Sequence, residues 1–325
     1  MNDVAVTLGW RHRAALTGFV LVCASAAHAQ YPERLIRAVV PFATGGTNDI
    51  TARMIAPHLA KTLGQQVVVE NRPGAAGNIG IEAVAKSAPD GHTMLFSATA
   101  STQNPALFRH LRFDPLNDIQ PVAAIAEYPY AIMVNNHLPV KNVRELIALA
   151  QKSPATLNAS AGGIGTRLSV ELFRIRNNIR VEVISYNGTG QASLAVATGE
   201  TQLAIMDPSP FQPFFASGRV RILAMVSERR VPAYPDVPTT AEAGLPNFET
   251  GTWGGVVAPA GTPATVISRL NQEVHKAMSA KDIQEGFTKQ MFEIQTGTPE
   301  DMARHIAAEN AKWTKLIADS GIKPN

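Results

Sequence analysis

The sequence predicts an α/β protein of two domains, each with a mostly parallel sheet flanked by helices. Short apolar runs alternate with stretches of helical period from about residue 34 onward. Small-residue turns fall where an apolar run ends and a helical period begins. The 325 residues exceed the usual span of one domain, and 45% of them are hydrophobic against 17% charged. That balance excludes disorder and leaves ample material for a core. A single Cys excludes a disulfide framework or a Cys-based metal site. The net charge of +3 comes without dense basic blocks, so no nucleic-acid partner is expected.

The first element is an export signal over residues 1–29. Arg11 and Arg13 supply the positive end, and Ala14 to Ala27 runs without a charge through Leu16, Phe19, Val20 and Leu21. Ala27-His28-Ala29 then forms a small-residue cleavage site. Cys23 falls inside this segment behind Val22, where a lipidated Cys usually follows Gly, Ala or Ser, so lipidation is not expected. The mature chain is therefore expected to be exported and free of Cys.

In the mature chain, Leu35 to Val40 reads as a buried strand, followed by a helix carrying Ile50, Met54, Ile55, Leu59 and Leu63, with Pro57 within it. Gly64 sits where a helix C-terminus ends. Val67 to Val69 and Thr93 to Phe96 read as further strands, with a Gly-rich turn and a short helix near 83–88 between them. The scheme repeats with strands at 131–134, 157–160, 181–184, 203–206 and 220–226, and with a helix capped by Asn142. Thr262-Pro263 and Thr298-Pro299 each read as an N-cap followed by Pro, opening apolar-striped packing helices.

Motifs for chemistry are scarce. His58, His92, His110, His137, His275 and His305 are isolated, with no zinc-ligand spacing, and neither a G-x-S-x-G elbow nor a P-loop occurs. No cofactor, metal or catalytic residue is predicted. Three loops stand out instead: Phe42 to Asp49, Ala161 to Arg167, and Asn187 to Gly190. Each lies where a strand gives way to a helix, the position at which open α/β sheets bind ligands. Unpaired N–H groups at a helix N-terminus attract anions, and Gly lets a ligand approach the backbone. Charge-assisted hydrogen bonds contribute roughly 1.5–3 kcal/mol each. A few of them reach the ~8 kcal/mol of a micromolar complex, so a carboxylate can be held without a salt bridge. Asp49 has a second reading as a carboxylate that simply stabilises its helix N-terminus.

Several runs belong together: Tyr31-Pro32 with Val39 to Phe42 and Gly45 to Asp49; Val69 to Gly80, including Asn71-Arg72-Pro73-Gly74; Ala88 to Thr93; Asn104 to Leu107; Ala159 to Gly162; Pro235 to Thr239; and Ala258 to Pro263. In this order they resemble the substrate-binding proteins of tripartite tricarboxylate transporters, also called Bug receptors. The resemblance implies a two-lobed periplasmic-binding-protein fold of type II, a Venus flytrap closing on a small organic carboxylate. It implies a non-enzymatic receptor, a monomer, whose partners are the membrane permease subunits. By the same resemblance, residues 30–128 and 253–325 form the first lobe and 129–252 the second. The chain then crosses between lobes near 127–130 and 250–254.

Carried over by position, Phe42, Thr44, Gly45, Gly46, Asn48 and Asp49 belong to the first lobe's ligand cradle, with Ser97, Thr99 and Ser101 on the same lobe. Gly163, Gly165 and Thr166, with Gly188, Thr189 and Gly190, belong to the second. Asp207 matches an acidic position after a strand, and either orients a ligand hydroxyl or amine or caps the next turn. The second lobe departs from the family pattern: the His that commonly follows Gly163 to Thr166 is missing, and Asn187 stands where Lys is frequent. Arg167 either offers a guanidinium fork to a second carboxylate or faces solvent, since a cation opposes the helix dipole there. The competing class is a secreted enzyme using the same cleft, for which the sequence offers no nucleophile–base pair.

Overall fold

The computed structural model describes residues 31–320 apart from 97–99, 101–103, 106, 107, 109, 153–156, 233 and 249. The export signal with Cys23, and the expectations at Ser97, Thr99 and Ser101, lie outside the described residues. The first half is β1 (Ile36–Val40), α1 (Thr47–Leu63), β2 (Val67–Asn71), α2 (Asn78–Ala85) and β3 (Thr93–Phe96). The long strand β4 (Ile119–Asn135) leads to α3 (Val143–Lys152), β5 (Asn158–Ala161), α4 (Ile164–Arg176), β6 (Glu182–Ser185) and α5 (Thr189–Thr198). Then come β7 (Leu203–Met206), α6 (Gln212–Ala216), β8 (Val220–Val226) and β9 (Gly251–Pro259). The chain closes with α7 (Ala264–Met278), α8 (Lys281–Lys289), β10 (Glu293–Ile294) and α9 (Pro299–Ser320).

The strands run in the order β2-β1-β3-β9-β4-β7-β5-β6. β2, β1 and β3 are mutually parallel, as are β6, β5 and β7. β4 and β9 between these two groups run antiparallel to their neighbours. The parallel arrangement read from the strand–helix alternation thus holds for the outer strands of each half. β4 is the shared element: its residues up to Pro129 pair with β9, and those from Tyr130 on pair with β7 and β8.

Side-chain alternation divides the core as a period of two requires. Ile36 and Val40 point into one cluster with Leu59, Phe96, Tyr128 and Phe287, whereas Val39 points to the other face with Ile81, Leu95 and Trp253. In the second half Ile132 and Val134 join Phe173 and Ile205, and Ala131 and Met133 join Met206 and Phe211. The two parts therefore have separate cores on both faces of their sheets.

Only the stretch 131–134 of β4 was legible as strand in the sequence, and β9 was not. Pro121 and Pro129 interrupt the pattern, since Pro removes a ladder donor and reads as a break. The chain accommodates Pro121 beside a register shift between Pro121 and Ala123. The two Thr-Pro pairs also differ. Thr298 is a true cap, accepting from Asp301 N–H at 3.1 Å while Asp301 accepts from Thr298 N–H at 3.0 Å. Thr262 instead turns back to the Pro259 carbonyl at 2.7 Å, and α7 starts with no side-chain cap.

The closing helix α9 touches both halves. Near its start Met302 packs with Trp253 and Val257 of β9. Near its end Trp313 and Ile317 pack with Ile164 and Leu168 of α4, and the Trp313 indole N–H donates to Glu309 at 2.9 Å. Trp313 is fully buried, so Trp313→Ala is expected to cost about 3–5 kcal/mol in denaturant unfolding. A loss under ~1 kcal/mol would contradict this packing.

Candidate functional site

The loop after β1 is held in shape by one carboxylate. Gly45, at φ +81°, needs a left-handed backbone that Gly adopts without strain, and its N–H donates to Asp49 Oδ2 at 2.9 Å. Asp49 Oδ1 accepts from Arg53 Nε at 2.9 Å and from Asn71 Nδ2 at 3.0 Å. Asn71 Nδ2 also donates to the Phe42 carbonyl at 3.0 Å, and its Oδ1 accepts from Thr44 and Arg53. Asp49 is almost fully buried, which alone would raise its pKa. The hydrogen bonds from Arg53, Gly45 and Asn71, with the Arg53 charge, outweigh burial and hold it below its ordinary 3.8.

In the other half, Thr166 Oγ1 accepts from the N–H groups of Gly162 and Gly163 at 2.9 and 3.1 Å, and donates to the Gly163 carbonyl. This fixes the turn before α4. The two halves meet directly. Ala43 N–H donates to the Asn187 carbonyl at 2.9 Å, and Thr47 N–H to Thr189 Oγ1 at 3.2 Å. A Cβ on Gly190 would lie 2.9 Å from the backbone carbonyl of Gly45, so this approach depends on a bare backbone.

Between these loops is a cavity of about 50 Å³. Phe42, Gly46, Asn48, Gly163, Gly165, Thr166, Thr189 and Asp207 line it, all expected from the sequence. Thr44, Gly45, Asp49, Gly188 and Gly190 do not: Asp49 and Thr44 turn into the loop network, and Gly188 and Gly190 sit where the halves touch. Thr47, Ala100, Tyr128, Tyr130, Gly162, Ile164 and Thr252 line it as well and were not singled out from the sequence. Thr47, Gly162 and Ile164 lie inside the loops that drew attention. The tyrosines and Thr252 come from β4 and β9, where no local pattern marks a side chain as facing a cleft.

Three helix N-termini converge here. α1, α4 and α5 begin after Gly46, Gly163 and Gly188, and none of the three carries a side-chain cap at its N-cap residue. Their first intrahelical bonds run from Ile50 to Gly46, Arg167 to Gly163 and Ala192 to Gly188, so the N–H groups just before these donors have no helical acceptor. Each end carries roughly half a positive charge. Among the described residues no Lys, Arg or His lines the cavity. Asp207 is fully buried, which raises its pKa against the hydroxyls of Ser209 and Thr47 that hydrogen-bond to it. Burial also raises the phenols of Tyr128 and Tyr130, and the nearby Asp207 charge adds to both. The Tyr128 hydroxyl lies 3.2 Å from Thr51 Oγ1.

Arg167 lies elsewhere. It lines a surface groove of about 720 Å³ with Glu171, Arg174, Arg180 and Glu182, where Arg174 pairs with Glu171 at 2.7 Å.

Two α/β halves joined by crossing strands, with loops of both meeting around an anion-favouring cavity, define a periplasmic binding protein. A family model described as the tripartite tricarboxylate transporter family receptor matches residues 51–322, and the chain belongs to that family. BugT of Bordetella pertussis is 34% identical, over 90% of this chain and 91% of its own. The structure of R. palustris Rpa4515 with adipate superposes with a TM-score of 0.88 at 34% identity, covering 91% of this chain and all of that one. The periplasmic binding protein BugD gives 0.86 at 31%, covering 90% and 99%.

Two outcomes are expected. Arg167→Ala leaves the affinity for any cleft ligand within twofold by calorimetry, and a tenfold loss would place Arg167 in the site. Because the folded pKa of Asp49 lies below 3.8, its stabilisation is complete above that value and is lost as pH falls through the folded value. Thermal unfolding of Asp49→Asn should therefore show a flatter acid limb than the parent, and an identical limb would contradict the network.

Proposed function

We propose that this chain is an exported solute receptor that captures a small organic carboxylate between two lobes. It then delivers the ligand to the membrane permease subunits of a tripartite tricarboxylate-type transporter. The observation that carries this reading is the convergence of three uncapped helix N-termini on one cavity without a basic side chain. Oriented N–H groups, with the hydroxyl of Thr189, whose oxygen accepts from Thr47 N–H, suit carboxylate oxygens. The ligand-contacting set in this reading is Phe42, Gly46, Asn48, Gly163, Gly165, Thr166, Thr189 and Asp207.

The lobes would be residues 30–128 with 253–325, and 129–252, hinged where β4 and β9 cross. Residues 1–29 would be removed on export, leaving a monomer in the periplasm. Membership of a receptor family supports binding rather than catalysis, and no helix among the described residues is long and apolar enough to cross a membrane.

The test is calorimetry on the mature protein with mono-, di- and tricarboxylates. At least one should bind at micromolar or tighter affinity. Gly190→Ala, at a helical position that tolerates Ala, should weaken it at least tenfold, about 1.4 kcal/mol, by keeping the lobes apart. Unchanged affinity in Gly190→Ala, or turnover of a carboxylate in place of retention, would overturn the reading.

A further inference from the structure

The contact between α9 and α4 joins the two proposed lobes outside the cavity. Trp313 and Ile317 of α9 belong to the first lobe, Ile164 and Leu168 of α4 to the second, and all four are buried in one cluster. Each pair is spaced i, i+4, so one stripe of α9 lies on one stripe of α4. The other hydrophobic clusters stay within one lobe, apart from Met291. Ile164 also lines the cavity, so a single side chain touches both the ligand site and this cluster.

The contact is suited to being made and broken. The Trp313 indole N–H donates to Glu309 on its own helix at 2.9 Å, and the other three side chains are hydrocarbon. Separating α9 from α4 therefore leaves no polar side-chain group unpaired, and only the newly exposed apolar area opposes it. The first lobe's side is also braced. Ala76 packs against the cluster from a left-handed backbone, at φ +55° beside Ala75 at +47°. Asn104 Nδ2 holds that turn through the Ala76 carbonyl at 3.2 Å and Asn78 Oδ1 at 2.6 Å.

We infer that the end of α9 is a clasp that favours the closed form of the receptor, with Trp313 as a positioning residue. It acts through Ile164 and holds the N-terminus of α4 over the cavity. Apparent affinity then scales with the share of molecules already closed, since the closed form holds the ligand from both lobes. This rests on the two-lobe capture reading above, and adds to it what sets the balance between closed and open forms.

The experiment measures the distance between the lobes. Cys23 is the one Cys of the sequence, so the chain from residue 30 on takes a cysteine pair without background labelling. Ile79→Cys and Leu194→Cys place spin labels at exposed positions on α2 and α5, one in each lobe and outside the cluster. Pulsed electron resonance on the ligand-free protein should show a short and a long distance. Trp313→Ala should lower the ratio of short to long at least tenfold and Leu168→Ala at least threefold, while Trp313→Phe should restore most of the loss. A merely structural Trp313 would change the melting temperature and leave that ratio alone, which overturns the inference. A parent protein found wholly at the long distance overturns it as well. Distances that shift with succinate, glutarate or citrate but not with Trp313→Ala sink the clasp and leave carboxylate capture standing. A single distance that neither these acids nor any variant moves removes lobe closure, and the capture reading with it. Should Trp313→Ala not fold, Leu168→Ala decides from the other side of the contact.

Discussion

An anion taken out of water must find its compensation in the site, and in the proposed reading that compensation comes from peptide N–H groups instead of basic side chains. Three helices start at the same small cavity, each after a Gly that contributes no capping side chain. A cap would satisfy those N–H groups locally, at a gain of about 1 kcal/mol per helix, and would close the site to a ligand. None of the three ends takes a cap from its own N-cap residue, although Thr47 N–H at the start of α1 donates to Thr189 Oγ1 across the halves, while at α9 Thr298 makes the ordinary cap. That contrast supports the proposed role of the three cleft ends in holding a carboxylate.

The rest of the architecture serves to bring these ends together. One is in the first half of the sheet order and two are in the second, so they meet only if the halves close. β4 alone runs through both regions, pairing with β9 up to Pro129 and with β7 and β8 from Tyr130 on. Gly46 and Gly190 let the backbones touch, and the Asp49–Asn71–Arg53 network holds the first loop in place from behind. α9 reaches from β9 to α4, so its packing at Trp313 couples the closing helix to the helix whose N-terminus lines the cavity.

Much of this was legible in the sequence. Strand–helix alternation gave the fold class, and the three Gly-rich loops located the cavity. The family resemblance placed Asp207 there, although its neighbours in sequence are ordinary strand residues. What local pattern could not show was direction. Asp49 and Thr44 lie in the right loop but bond to Asn71 and Gly45, because their partners come from a different strand and from the turn itself. Tyr128, Tyr130 and Thr252 face the cavity from strands whose prolines and antiparallel pairing hid them. Arg167 adjoins a lining residue by one position, yet helix geometry turns its side chain to the outer groove.

The central claim is that backbone amides of the three helix starts hold the carboxylate. The most direct measurement is a ¹H–¹⁵N amide spectrum of the isotope-labelled mature protein, titrated with a bound carboxylate. The account predicts downfield proton shifts concentrated at the amides of Asn48, Gly165, Thr166 and Thr189. Shifts absent from these amides, with perturbation centred instead on the arginine groove of Arg167 and Arg180, would contradict it.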